Sequence, residues 1–327
     1  MFRRQPIKIH NELIYMQIIK IKSARTCPAG VRGCKTPGGP KGLDAPEARP
    51  LLLPSPWAAL LSARHLFEIT MPNSQMSQTQ RAQAIEANLG CTDQDLSGFD
   101  FERIGGEDEL DFTGCRITGT RIKGDALIAS RWVNCQFLDC TFAMTDLREA
   151  QFTNCSFYNT AEVRGAVFQH CNLNRTAFTD CDLTLTRFKG CDAYDIAFSG
   201  CQMRGTDFDG SNFSQTMGRR ALTAARFTDC RLTDALLNRL DLNGCHFTDC
   251  DMTGTALNGA RLVNAVLRDC ALIGPELLQA DLSGADLGGS RLEGVNLPEL
   301  RSYAAMTVSA SQQHILLQSL GIEVTPD

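Results

Sequence analysis

Fifteen cysteines and five histidines in 327 residues are the side chains best placed to ligate a metal, carry a redox couple or act as nucleophiles. Their spacing argues for none of these. Twelve cysteines (Cys115, Cys135, Cys140, Cys155, Cys171, Cys181, Cys191, Cys201, Cys230, Cys245, Cys250 and Cys270) recur at multiples of five within each uninterrupted run. No Cys-x-x-Cys pair occurs, so the spacing is a period of the chain rather than of a zinc site. Free cysteine in such a series behaves as a small buried apolar residue, and so many thiols suit a reducing, cytoplasmic setting. Of the histidines, His10 and His65 fall in an atypical first segment, while His170 and His246 fall on polar positions of the repeat. No glycine-rich phosphate loop, nucleophile elbow or metalloprotease helix is present. The expectation is a protein that is not an enzyme, with no catalytic residue, no cofactor and no metal.

The elements that carry these cysteines follow from one periodicity. From Asp111 an apolar residue recurs at every fifth position: Phe112, Ile117, Ile122, Leu127, Trp132, Phe137, Phe142, Leu147, Phe152 and Phe157. After one inserted residue the series resumes at Val163 and runs to Phe213, and after a longer break it continues from Phe227 to Leu297. This gives 36 centres, which hold thirteen of the 17 phenylalanines. Five is neither the helical period of 3.6 nor the strand period of 2. Two positions before most centres stands Cys, Ala, Thr or Ser, and the other three positions are mostly polar, as in Ala280-Asp281-Leu282-Ser283-Gly284. The pattern resembles the pentapeptide-repeat family from Asp111 to Leu297. That resemblance implies an all-β solenoid, a right-handed quadrilateral β-helix with four repeats per coil and both the centre and the small residue inward. Nine coils at about 4.8 Å each make a tube roughly 43 Å long. Phe168, Phe188 and Phe208 are expected to stack on one face, with Phe178 and Phe198 on the opposite face. Ala193 is an undersized centre, where a local pinch or shifted packing is expected.

Charge divides the chain. Residues 1–70 hold 11 Lys/Arg against 4 Asp/Glu, and residues 71–327 hold 21 against 33, so balances of +7 and −12 compose the net −5. The first segment is proline-rich and aperiodic, and is expected to be a disordered extension or an over-long reading of the gene, with Met71 and Met76 as later starts. No apolar run approaches the roughly 20 residues needed to span a bilayer. Aspartate recurs immediately before the centres, at Asp146, Asp182, Asp192, Asp207, Asp241, Asp251, Asp281 and Asp286. B-DNA would carry roughly 25 charges over the same length, so a balance of −12 supports partial imitation of a duplex and disfavours direct binding of nucleic acid.

Both ends carry cap signals. Ser77 to Leu89 reads as a helix ending at Gly90, within a capping region of irregular repeats at 71–110 that includes an acidic loop, Gly105 to Glu109. The regular helix spans 111–297, broken by a loop at 214–224 in which Met217, Arg219 and Arg220 are candidate partner contacts. Residues 298–327 hold a linker and a C-terminal helix, with a short strand expected at 322–324. The tail Leu316-Leu317-Gln318-Ser319-Leu320-Gly321-Ile322-Glu323-Val324, after Gly294-Val295-Asn296-Leu297, resembles that of the Qnr-type quinolone-resistance proteins. This resemblance implies a homodimer through Ile315, Leu316, Leu320, Ile322 and Val324. It also implies a DNA-mimic that protects DNA gyrase or topoisomerase IV from quinolones or a peptide toxin. The alternative is a scaffold or secreted effector that presents its faces to an unrelated protein.

Overall fold

The structure, a computed structural model, describes residues 76–105, 109–218 and 220–323. The chain divides into two units, 1–55 and 56–327, and the second contains every described residue. The expectation for 1–70 and the tip of the acidic loop at 106–108 lie outside the described residues.

Successive coils lie side by side and hydrogen-bond in parallel, so that equivalent positions of neighbouring repeats face one another. On the first face nine strands stack from Gly90–Thr92 to Val266–Arg268, with Phe112 beside Trp132 and Phe227 beside Phe247. The second face runs through Ile117 and Phe137, the third through Ile122, Phe142, Phe168 and Phe188, and the fourth is a ladder of single bridges such as Asp192 to Asn212. The result is a four-sided parallel β-solenoid.

The interior explains the repeat. Phe168, Phe188 and Phe208 stack with ring centroids 4.9 Å apart at each step, and Phe178 and Phe198 lie on the opposite face at 5.2 Å. Each ring buries on the order of 150–250 Å² of surface, and near-parallel offset rings gain about a further 0.5–1.5 kcal/mol per pair. The small inward residue has its own task. Its thiol or hydroxyl donates to the carbonyl oxygen of a centre on the preceding coil: Cys181 to Phe152 at 3.4 Å, Thr206 to Leu183 at 3.1 Å, Ser211 to Phe188 at 2.9 Å. Cys, Thr and Ser therefore interchange there, and Ala fits without donating. Trp132, the widest centre, is accommodated because Ser130 accepts its indole N–H at 2.9 Å.

Eight of the cysteines, Cys115, Cys135, Cys155, Cys181, Cys201, Cys230, Cys250 and Cys270, form a single column along one inner edge, all at most 2% exposed. At Ala193 the packing shifts and the tube does not pinch. Ile196 takes the small position beside it at 0% exposure, and the backbone pairing of Ala193 with Asn212 is kept at 2.7 Å.

Corners turn two residues after each centre, where the backbone is left-handed at sites such as Asn134 (φ 55°), Asp180 (φ 53°) and Gly289 (φ 77°). Asn, Asp and Gly tolerate this region best. At Gly289 a Cβ would also come 2.1 Å from the Asp269 carboxylate, which would have to swing aside to admit it.

The reading of Val163 as a centre fails. It is 64% exposed with φ 51°, and the next inward centre after Phe157 is Phe168. The first break is thus an eleven-residue step in place of five, a six-residue insertion rather than one. Residues 298–308 extend the coil, with Ser302 and Thr307 bridged to Asp281 and Asp286.

Caps close both ends. Helix α1 (Gln78–Asn88) starts at a reciprocal capping box between Ser77 and Gln80 and buries Ala82 and Ile85. Helix α2 (Gln313–Ser319) follows a 3-10 turn at Ala310–Gln312, and the buried Gln312 side chain donates to the carbonyls of Leu287 and Ser290 on the last full coil. No strand forms at 322–323, and Val324 lies outside the described residues.

Burial pushes the Cys140 thiol up to about 11 and that of Cys245 to about 12. At pH 8 these thiols stay protonated, and thiolate is the reactive form. Thiol titration with Ellman's reagent should therefore label Cys91, the one half-exposed cysteine of the thirteen described, before the others. The other twelve should react only on unfolding in guanidinium. Rapid native labelling of any of these twelve would contradict the packing.

Candidate functional site

A tube whose interior is filled by its own side chains leaves function to the outside, and four outer features stand apart from the repeat.

The first is a small antiparallel hairpin pairing Tyr158–Asn159 with Arg164–Gly165. It leaves the corner between the second and third faces and closes at Ala166, whose N–H donates to Phe157 at 2.8 Å. Asn159 organises it, donating to Asp139 at 2.6 Å and accepting from the Ala161 N–H at 3.0 Å. Gly165 is required at its base, because a Cβ there would meet the Leu185 backbone at 2.3 Å. Val163 projects from it in a left-handed conformation that is unfavourable for a β-branched residue.

The second hairpin pairs Ser214–Met217 with Arg220–Thr223, with Met217 opposite Arg220 across the turn at Gly218. Its base is tied by Asn212, whose carbonyl oxygen accepts from the Ser214 N–H at 3.0 Å and from its hydroxyl at 2.7 Å. It is a nine-residue insertion, since Phe198 pairs with Phe227 where an unbroken repeat would bring position 218 beside it. Two of the three candidate contacts, Met217 and Arg220, are thereby brought to one hairpin end, and Arg219 lies outside the described residues. The hairpin leaves the corner between the fourth and first faces, diagonal to the first. Sequence reasoning located the second hairpin as a break and missed the first, whose exposed Val163 falls close to the expected five-residue spacing.

The third feature is the C-terminal apolar patch. Leu320 and Ile322 are 44% and 48% exposed, whereas Leu316 is 8% exposed and closes the tube end, with Ile315 packed beside it. The four described residues of the five named from sequence therefore separate into a cap and a surface, and Val324 lies outside the described residues.

The fourth is the aspartate series. In seven of the eight named positions the carboxylate accepts the N–H two residues on, as Asp182 does from Thr184 at 3.1 Å, Asp251 from Thr253 at 3.1 Å and Asp281 from Ser283 at 3.0 Å. Local turn chemistry thus selects aspartate here. The Ser283 hydroxyl and N–H hold the Asp281 carboxyl below the usual carboxylate range, and the Arg268 guanidinium, then the Gly288 N–H, do the same for Asp286. These groups remain charged at neutral pH and line the outer faces with anions.

Stacked parallel coils, an aromatic inner ladder and a small residue two places before most centres define a four-sided solenoid of five-residue repeats. The chain is similar to the pentapeptide-repeat family: the model of its repeat region matches residues 151–217 and 220–297 and breaks at the turn of the second hairpin. Solved structures similar to it include a trypsin-treated variant of QnrB1, a plasmid-mediated fluoroquinolone resistance protein, at 23% identity and a TM-score of 0.61, covering 64% of this chain and 99% of that one. Full-length QnrB1 is similar at 22% identity and a TM-score of 0.56, covering 71% of this chain and 100% of that one. At this identity the likeness is one of fold. No curated protein matches the chain. No described helix is long and apolar enough to cross a membrane.

Proposed function

We propose that this protein is a non-enzymatic, DNA-mimic-like binder of a bacterial type II topoisomerase, DNA gyrase or topoisomerase IV, which it protects from quinolones or a peptide toxin in the cytoplasm. The observation that carries the reading is the pair of hairpins projecting from diagonal corners of an anionic rod whose coils are otherwise continuous. The likeness of the fold to a fluoroquinolone resistance protein supports it. In the proposed mechanism the rod occupies the surface that receives DNA and displaces the drug-poisoned cleavage complex. The Met217–Arg220 hairpin supplies specificity, since an insertion that the fold does not need is free to be shaped by a partner. Charge aids encounter more than final affinity, because exposed charges are screened within about 8 Å at physiological salt. Leu320 and Ile322 join two copies tail to tail, which doubles the length of the rod.

A supercoiling assay with DNA gyrase and ciprofloxacin tests the reading. The full chain at micromolar concentration should restore supercoiling, and a variant lacking 215–223 should lose that effect while keeping its circular dichroism. No rescue by either protein contradicts topoisomerase protection. Sedimentation equilibrium tests the dimer separately: the paired substitution Leu320→Asp and Ile322→Asp should give monomer where the parent is dimeric. A monomeric parent would remove the tail-to-tail proposal.

A further inference from the structure

Nine described arginines form ion pairs with aspartate or glutamate, among them Arg148 with Asp146, Arg226 with Asp195 and Arg268 with Asp286. The third face differs in carrying two cations on one strand. Arg121 and Lys123 flank Ile122, Arg187 and Lys189 flank Phe188, and among the described residues none of the four has a carboxylate partner. Lys123 and Lys189 are also the only lysines after Lys41 in the sequence. The register runs from Arg121 through Thr141 and Val167 to Arg187, so the two Arg–Lys clamps stand three coil steps, about 14 Å, apart. Between them lies a neutral floor of Thr141, Ala143, Val167 and Gln169.

The margins of this strip limit what it accepts. Val163, 64% exposed on the first hairpin, stands at one corner of the face, and Met144, 66% exposed, stands at the other. Both hold left-handed backbone (φ 51° and 53°), where neither residue type is favoured. Along the axis the strip ends in negative charge. Glu102 and Asp100 share a shallow depression with Arg121 and Lys123, and Asp207 and Asp209 follow on the coil after Phe188.

We infer that the third face is a docking strip for a short acidic segment of a partner protein, laid in extended form along the tube axis. In an extended strand, side chains four residues apart point the same way and stand about 13–14 Å apart, which matches the clamp separation. Two carboxylates at that spacing reach one Arg–Lys clamp each, while Val163 and Met144 contact the apolar side chains between them. Anions at both ends of the strip repel a long polyanion, so a nucleic acid strand fits less well than a short peptide. The inference uses neither the second hairpin nor the C-terminal patch, and it stands whether or not a topoisomerase is the partner.

Zero-length carbodiimide coupling tests it, because the reagent joins a carboxylate to a lysine amine only where the two touch. The full chain is incubated with an acetylated, amidated Glu-Ala-Leu-Ala-Glu peptide at low salt, coupled, digested and read by peptide mass spectrometry. Coupling is expected at Lys123 and Lys189, and should fall by about fivefold or more in Arg121→Glu with Arg187→Glu, which leaves both lysines in place. It should be unchanged in Arg116→Glu with Arg231→Glu on the second face. Coupling confined to Lys8, Lys20, Lys22, Lys35 and Lys41 would overturn the inference, as would equal losses in the two variants. Displacement of the peptide by a 24-base-pair duplex at equal anion concentration would overturn it in favour of nucleic acid. Circular dichroism of each variant confirms that outward substitutions leave the coils intact.

Discussion

The cross-section of the tube is the constraint from which the rest follows. Each side has room for one large apolar side chain and one small one. The large one must stack on its counterpart in the next coil, and the small one must leave it space. Phe198 shows the consequence: it stacks on Phe178 at 5.2 Å and on Phe227 at 5.0 Å, although the whole second hairpin intervenes before the latter in the chain. Stacking, rather than sequence distance, sets the register. Volume is conserved locally instead of residue by residue, as Ala193 and Ile196 show by exchanging the usual sizes of centre and small position while both stay buried. Such volume-conserving exchanges cost little in a close-packed core.

A filled interior leaves the corners and outer faces to carry whatever the protein recognises. Much of the acidity on those faces has a structural origin, because an aspartate before each centre can hold the N–H two residues later. Anionic character and backbone order therefore come from the same side chains, and any resemblance to a duplex comes with the fold. Features that the fold does not require stand out against this background. They are the two hairpins, the apolar pair Leu320 and Ile322, and the unpaired cations of the third face. Unfavourable backbone at Val163, which lies off the regular corners, belongs to the same set, since strain of this kind persists where a local role or the surrounding structure holds it in place.

The five-residue period, the aromatic ladders and the Ser77 cap were legible in the sequence because each is a one-dimensional pattern with a single physical cause. Val163 was misread because an exposed valine happened to fall one place beyond the expected spacing after Phe157, and periodicity cannot tell an inward valine from an outward one. The hairpin that contains it became visible only through the pairing of Phe142 with Phe168. Leu316 and Leu320 look alike in the sequence, yet one closes the tube and the other faces solvent. Arg121 and Arg187 are separated by several repeats and a hairpin, so nothing local marks them as neighbours on one face. The left-handed corners were the missed signal that sequence could have supplied, since Asn, Asp and Gly recur two places after the centres.

The account rests on the claim that stacked coils alone hold the fold and that the hairpins are additions to it. Thermal unfolding of a variant lacking both 159–164 and 215–223, followed by circular dichroism, tests this most directly. Removing six and nine residues restores an unbroken five-residue step through Phe157, Phe168, Phe213 and Phe227. The account predicts one cooperative transition at a temperature no lower than that of the parent. Loss of cooperative melting, or a drop of many degrees, would show that the hairpins hold the coils together and would contradict the claim.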